Sequence, residues 1–195
     1  VGIGRTAEFQ VHLSAVGQPC HDAMSTDHQF SNPAWLELTD QLLDRLRGQL
    51  SLVQPREERE QLAGAALDQL SESQHDHLPP LTSDEQRRAY LQRFFSYDAI
   101  EEFLNDPAVE DIMVNSTEPI FVHKTSQGLV RTDKRFATTR EVAVFVKKLL
   151  VFAGRSEMDP INDVELSDVR GRVNIVQSPF GPQITITRGK TMPLT

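Results

Sequence analysis

The sequence predicts an α+β fold in which a helical unit precedes a small antiparallel sheet packed against one helix. Three observations carry this. Apolar residues recur every three or four positions from Trp35 to about Phe95, the spacing that collects them on one helix face. Beyond Pro107 the spacing shifts toward two, which in a strand sends alternate side chains to opposite faces of a sheet. Between two groups of such strands, the segment from Val142 to Leu150 returns to the helical period.

Taken in order, Trp35, Leu38, Leu42, Leu46, Leu50 and Val53 predict an amphipathic helix carried to Val53. Pro55 suits the first turn of a second helix, where a missing N–H costs nothing. Glu57, Glu58 and Glu60 lie near its positive end, and Leu62, Ala66, Leu67 and Leu70 form its apolar stripe. Pro79-Pro80 breaks the chain. Ser83-Asp84-Glu85-Gln86 then has capping-box spacing and opens a third helix to about Phe95. A short fourth, Asp98 to Asn105, buries Ile100, Phe103 and Leu104 before Asp106-Pro107 stops it.

In the second half, Asp111 to Asn115 reads as a strand, and Ile120 to His123 with Gly128 to Thr132 as a hairpin. Thr138-Thr139-Arg140-Glu141 is another capping box. It starts a helix bearing Val142, Phe145, Val146, Leu149 and Leu150, closed by Gly154 in a left-handed turn. That helix is expected to pack on the sheet. Val164 to Asp168, Arg172 to Val176 and Gln183 to Thr187 alternate as three more strands, with Gly171 and Gly181-Pro182 in the turns. The expected organisation is a flexible segment over 1–33, a helical unit over 34–97 and a PAS-like α+β domain over 98–195. Met24 is read as a candidate native start, with the preceding residues an extension.

Composition narrows the function classes. Net charge is −8, but it divides into −11 over residues 1–110 and +3 over 111–195. The acidic front argues against a nucleic-acid grip there, and the mildly basic back suits an anionic small ligand as well as a polyanion. The most apolar stretch, Val142 to Ala153, is interrupted by Lys147 and Lys148, so no membrane span is expected. Cys20 is the only cysteine, which excludes an internal disulfide and a multi-cysteine zinc site. His75 and His77 stand in a polar stretch and read as solvated loop residues, so no metal site is expected.

No complete active site is visible. The sequence has no Gly-x-x-x-x-Gly-Lys-Ser/Thr loop, no Gly-x-Ser-x-Gly elbow and no His-Glu-x-x-His helix. No catalytic residue is assigned, and the chain alone is expected to be inactive. The carboxylate pairs Glu101/Glu102 and Asp163/Glu165 read as surface or turn groups rather than a general acid and base. Arg170, Arg172 and Arg188 fall near turns of neighbouring strands. If those strands pair, their guanidiniums would converge on one phosphate through bidentate bonds, although arginines flanking hairpins are common without any such role.

Several runs resemble one family. Leu104-Asn105-Asp106-Pro107-Ala108-Val109-Glu110-Asp111-Ile112-Met113-Val114-Asn115 resembles the segment that opens the N-terminal domain of the type II/type IV secretion ATPases. Phe121-Val122 to Leu129-Val130-Arg131-Thr132 resembles that family's strand pair, and Phe136 its continuation. Asp163-Val164-Glu165-Leu166 with Gly171-Arg172-Val173-Asn174-Ile175-Val176-Gln177-Ser178-Pro179 resembles its signature hairpin. Ile184-Thr185-Ile186 resembles the last strand, before Pro193-Leu194-Thr195 leads on toward the ATPase domain. The helical front is similar to the extra N-terminal helices of the Cpa/Tad pilus-assembly branch, so the likeness spans roughly residues 36 to 195.

This resemblance implies the N-terminal, nucleotide-closing and oligomerising domain of a hexameric ATPase for protein secretion or pilus assembly, cut off before its phosphate loop. ATP and Mg²⁺ would belong to the full-length protein, with none bound tightly by this chain alone. The expected partners are the C-terminal ATPase domains of its own and neighbouring subunits and the inner-membrane secretion or pilus platform. The expected location is cytoplasmic, peripheral to that membrane. Arg172 matches the first family arginine that contacts the terminal phosphate. Arg188 departs from the pattern: Thr187 intervenes after Ile186, and a one-residue shift turns a strand side chain to the other face unless a bulge restores it. Arg155, after Gly154, is a weaker match that equally suits a cap on the preceding helix. The alternatives are a stand-alone α+β sensor or protein-binding module without nucleotide chemistry, and an adaptor recruited through the helical front.

Overall fold

The computed structural model describes residues 32–51, 53–73, 79, 81–166 and 171–189. The expectations about residues 1–31, Cys20 and Met24 among them, about His75 and His77, and about Arg170 and Pro193 to Thr195 fall outside these. The first helix, α1 (Pro33–Leu46), starts where Asn32 Oδ1 accepts from the Ala34 N–H at 3.0 Å with Pro33 behind it, the arrangement that satisfies a free backbone donor at a helix start. It ends at Leu46 rather than running to Val53. Gly48 adopts φ +75°, the left-handed conformation that terminates helices at little cost for glycine. Leu50 still reaches the core from the following loop, whereas Val53 is 90% exposed.

Helix α2 (Arg56–Ser73) buries Ala63, Ala66, Leu67 and Leu70. Helix α3 (Asp84–Phe94) is capped by Ser83 Oγ, which accepts from the Gln86 N–H at 3.2 Å. The Gln86 side chain reaches back one residue further than a capping box requires, accepting from the N–H and hydroxyl of Thr82 at 3.0 Å each. A 3₁₀ turn (Asp98–Ile100) leads into α4 (Glu101–Asn105), which buries Phe103 and Leu104 as expected.

Six strands form one antiparallel sheet: β1 (Val109–Asn115), β2 (Phe121–Lys124), β3 (Gly128–Arg131), β4 (Ile161–Leu166), β5 (Gly171–Ser178) and β6 (Gly181–Arg188), in the order β3-β2-β1-β6-β5-β4. The last strand therefore pairs with the first, and the two halves are joined through helix α5 (Thr139–Phe152). The protein is α+β, with N-terminal helices followed by an antiparallel sheet packed against a helix.

Helix α5 explains how the halves share a core. Its start is capped as expected, Thr138 Oγ1 accepting from Glu141 N–H at 3.1 Å, and Gly154 follows its end at φ +72°. Besides the five expected apolar residues, Val144, Lys148, Val151 and Phe152 are also buried. A helix lying on a sheet alone would expose one side. Here α1 packs on α5 as β4 and β6 do, so the helix is covered from two directions. Phe152 meets Phe94, Phe95 and Tyr97 at centroid distances of 5.7, 5.5 and 6.2 Å, and such pairs add about 0.5–1.5 kcal/mol each beyond burial.

The two lysines that interrupt the apolar run of α5 are both used. Lys147 Nζ meets Asp40 Oδ1 at 2.6 Å and Asp44 Oδ1 at 2.8 Å on α1. Lys148 Nζ, on a residue only 2% exposed, donates to Ser96 O at 2.9 Å and Asp98 Oδ2 at 2.8 Å. A buried ammonium needs such pairing, and it ties α5 to the turn between α3 and α4.

Candidate functional site

Strand alternation divides the sheet into an inner face against α5 and an outer one. Val164, Leu166, Val173, Ile175, Ile184 and Ile186 point inward and are at most 5% exposed. Their neighbours Asp163, Glu165, Arg172, Asn174, Thr185 and Thr187 take the outer face. The β5–β6 register runs without a break from Gly171 opposite Arg188 to Ser178 opposite Gly181, with Arg172 opposite Thr187. On β6, Asp111 of β1 faces Thr187 from the other side.

Of the four arginines read from the sequence, the three within the described residues are thereby separated. Arg172 stands on the outer face with its side chain 70% exposed. Arg188 lies one pleat further along β6, on the side of Ile186 and Ile184. No bulge intervenes between β5 and β6, so the two guanidiniums do not converge. Arg188 Nη1 instead donates to two main-chain carbonyls, that of Asp106 and, at 3.1 Å, that of Val109, clamping the end of β6 to the turn entering β1. Arg155 follows Gly154 at the end of α5, exposed, with its N–H donating to Leu150 O at 2.8 Å. It caps the helix through its main chain.

Arg172 is engaged. The strand partner directly opposite it is Glu165, while Asp163 is opposite Asn174. Yet the guanidinium passes over Glu165 to the diagonal Asp163, with Nε on Oδ1 at 2.8 Å and Nη2 on Oδ2. This two-pronged geometry is the one a planar guanidinium offers to carboxylate or phosphate alike. The Arg172 hydrogen bond holds the Asp163 carboxyl below its ordinary range, against the opposing effect of burial. The same bond raises Arg172 further into its charged form.

Asp163 was legible as half of a carboxylate pair, but not as the partner of Arg172. The signal was present in the alternation, since Asp163 and Arg172 share a sheet face once β4 and β5 form a hairpin. Held ionised by an arginine, Asp163 is a poor proton acceptor at neutral pH. In the second pair, Glu101 accepts from the Tyr97 N–H at 2.6 Å and is structural. On the outer face Asp163 and Glu165 of β4 thus flank the guanidinium of Arg172, with Asp111 two strands away across Thr187. That environment lowers the electrostatic attraction for an anion.

Elsewhere Asp106 is held below the carboxylate range, first by its hydrogen bond from Lys124 at 2.8 Å and then by that from the Ala108 N–H. A depression of about 560 Å³ between α2 and α3 is lined by Glu57, Glu60, Asp68 and Arg87 among others, and by none of the three arginines above. Among the described residues, no group of three or more His, Cys, Asp or Glu is placed to hold a metal ion, and no helix is long and apolar enough to cross a membrane.

No family model and no curated protein matches this chain. Among solved structures it is similar to the VirB11 ATPase from the Brucella suis type IV secretion system, crystallised in complex with sulphate. The similarity has a TM-score of 0.36 at 16% identity and covers 50% of this chain. It spans 31% of the length of that ATPase.

Proposed function

We propose that this chain is the N-terminal, nucleotide-closing and oligomerising domain of a hexameric ATPase that powers protein secretion or pilus assembly. The observation that carries the reading is Arg172. It occupies the position in Gly171-Arg172-Val173-Asn174 that the sequence resemblance assigns to a phosphate contact, and it stands 70% exposed on an open sheet face, with its fork in the geometry that fits phosphate. Arg188 is taken up by two main-chain carbonyls and Arg155 stands at the end of α5 rather than on the sheet, so the reading rests on Arg172.

In this reading a C-terminal ATPase domain supplies the phosphate loop, the Mg²⁺ ligands and the catalytic carboxylate. ATP with Mg²⁺ brings the charge that Arg172 neutralises, and Arg172 couples the state of the nucleotide to rotation of this domain. Neighbouring subunits and an inner-membrane secretion or pilus platform are its partners. The coding DNA downstream of Thr195 tests this: an in-frame Gly-x-x-x-x-Gly-Lys-Ser/Thr loop is expected, and a stop codon without one would overturn the reading. A stand-alone binding module is the second reading. The engagement of Arg172 by Asp163 favours it, because an ion pair stapling β4 to β5 needs no nucleotide.

A further inference from the structure

We propose that Asp163 is an internal stand-in for phosphate, holding the fork of Arg172 until a polyphosphate displaces it. The inference rests on the assignment of Arg172 as a phosphate contact and adds its regulation. Arg172 bypasses the directly opposed Glu165 for the diagonal Asp163, and takes it with two donors rather than one. The carboxylate therefore occupies the same two donors that a terminal phosphate would use. It also keeps a long, exposed side chain in one extended arrangement, removing part of the ordering cost that a ligand would otherwise meet.

Displacement is feasible because the pair is open to water. The two side chains are 70% and 41% exposed, and exposed ion pairs are weak and screened. Asp163 also lies on β4, an edge strand whose only sheet neighbour among the described residues is β5. Its side chain, or the strand, can withdraw without breaking a second ladder. Phosphate capture is then an exchange in which Arg172 leaves one anion for another, and the strength of the Asp163 contact sets the threshold. Glu165, directly opposite Arg172, keeps a released site from holding stray anions.

The test is a titration of the ¹⁵N-labelled chain with sodium triphosphate at constant ionic strength, following the Arg172 Nε–Hε resonance where Arg172 is present and the backbone amide resonances of β4 and β5 in every protein. The variants are Asp163→Asn, Glu165→Gln and Arg172→Ala. In wild type the Arg172 resonance is expected to move. Asp163→Asn is expected to tighten binding roughly two- to fivefold, the scale of an exposed ion pair, and adding Arg172→Ala abolishes that gain. Glu165→Gln removes the same charge from the same face without freeing the fork, so its effect is expected to be smaller. Equal affinities in wild type and Asp163→Asn, or equal effects of the two carboxylate variants, overturn the stand-in role while leaving Arg172 as a phosphate contact. An Arg172 resonance that stays fixed in wild type, Asp163→Asn and Glu165→Gln overturns both assignments.

Discussion

Arg172 on β5 reaches diagonally past Glu165 to take Asp163 of β4 in a two-pronged ion pair on the outer face of the sheet. The pair has a titration consequence. Asp163 has a folded-state pKa below its unfolded value of about 3.9, so its contribution to stability is complete above that value and is lost as pH falls through the folded pKa. Arg172→Ala is expected to raise the Asp163 midpoint toward the ordinary range, read from the carboxyl ¹³C shift. An unchanged midpoint would mean that the two groups do not interact in solution.

Arg188 is predicted to be structural. Its guanidinium donates to the carbonyls of Asp106 and Val109; hydrogen bonds involving a charged group are worth about 1.5–3 kcal/mol, and at this part-buried site water recovers a share of the two when they are lost. Arg188→Ala is therefore expected to cost roughly 2 kcal/mol in urea denaturation, whereas Arg172→Ala leaves the unfolding midpoint nearly unchanged. The reverse ranking would contradict the division of labour between the two arginines.

Lys148 should matter more than its neighbour. Lys148→Ala removes the closer of two cations from Asp98, leaving Arg93 Nη2 at 3.5 Å from Oδ1, and opens space in the core, and is expected to cost roughly 2–3 kcal/mol. This falls below the 3–5 kcal/mol of a fully buried broken pair, because the Asp98 side chain keeps 28% exposure. Lys147→Ala, which breaks more exposed pairs to α1, is expected to cost about 1 kcal/mol or less. Thermal or urea unfolding of the two variants side by side checks the ordering.

Gly181 is a position where only glycine fits. Its φ is +106°, and an added Cβ would stand 2.5 Å from Ser116 Oγ. Ser116 cannot simply yield, since its own φ is +51° and its N–H donates to Pro182 O at 3.0 Å. Gly181→Ala combines backbone strain with a clash and is expected to destabilise by about 2 kcal/mol. A stability within 0.5 kcal/mol of wild type, about the scatter of harmless surface changes, would show that the β5–β6 turn is not locked to Ser116.

Much of the architecture was legible because its signals are local. Period two gave the strands, capping serine and threonine gave the starts of α3 and α5, and Asp106-Pro107 gave the end of α4. Val53 was misplaced because it continues the spacing of Leu46 and Leu50, while the backbone of Gly48 has already ended the helix. The burial of α5 on two sides was not legible, since the covering surface of α1 comes from a distant part of the sequence. The shift of Arg188 relative to Ile186 foretold its change of face. Confirming that change needed the unbroken β5–β6 register, and the engagement of Arg172 by Asp163 depends on a side chain choosing a diagonal neighbour over the one directly opposite.

The central claim, that Arg172 touches the terminal phosphate of a nucleotide held by an ATPase domain, is tested most directly by ATP turnover of the protein expressed from its complete reading frame. Wild type and Arg172→Ala are compared at saturating Mg-ATP. Loss of a preorganised donor to developing phosphate charge typically costs two to three orders of magnitude at its strongest. On that claim Arg172 would act across a domain gap, so about tenfold or more is expected, with the unfolding midpoint unchanged. Equal turnover by the two proteins would contradict the account.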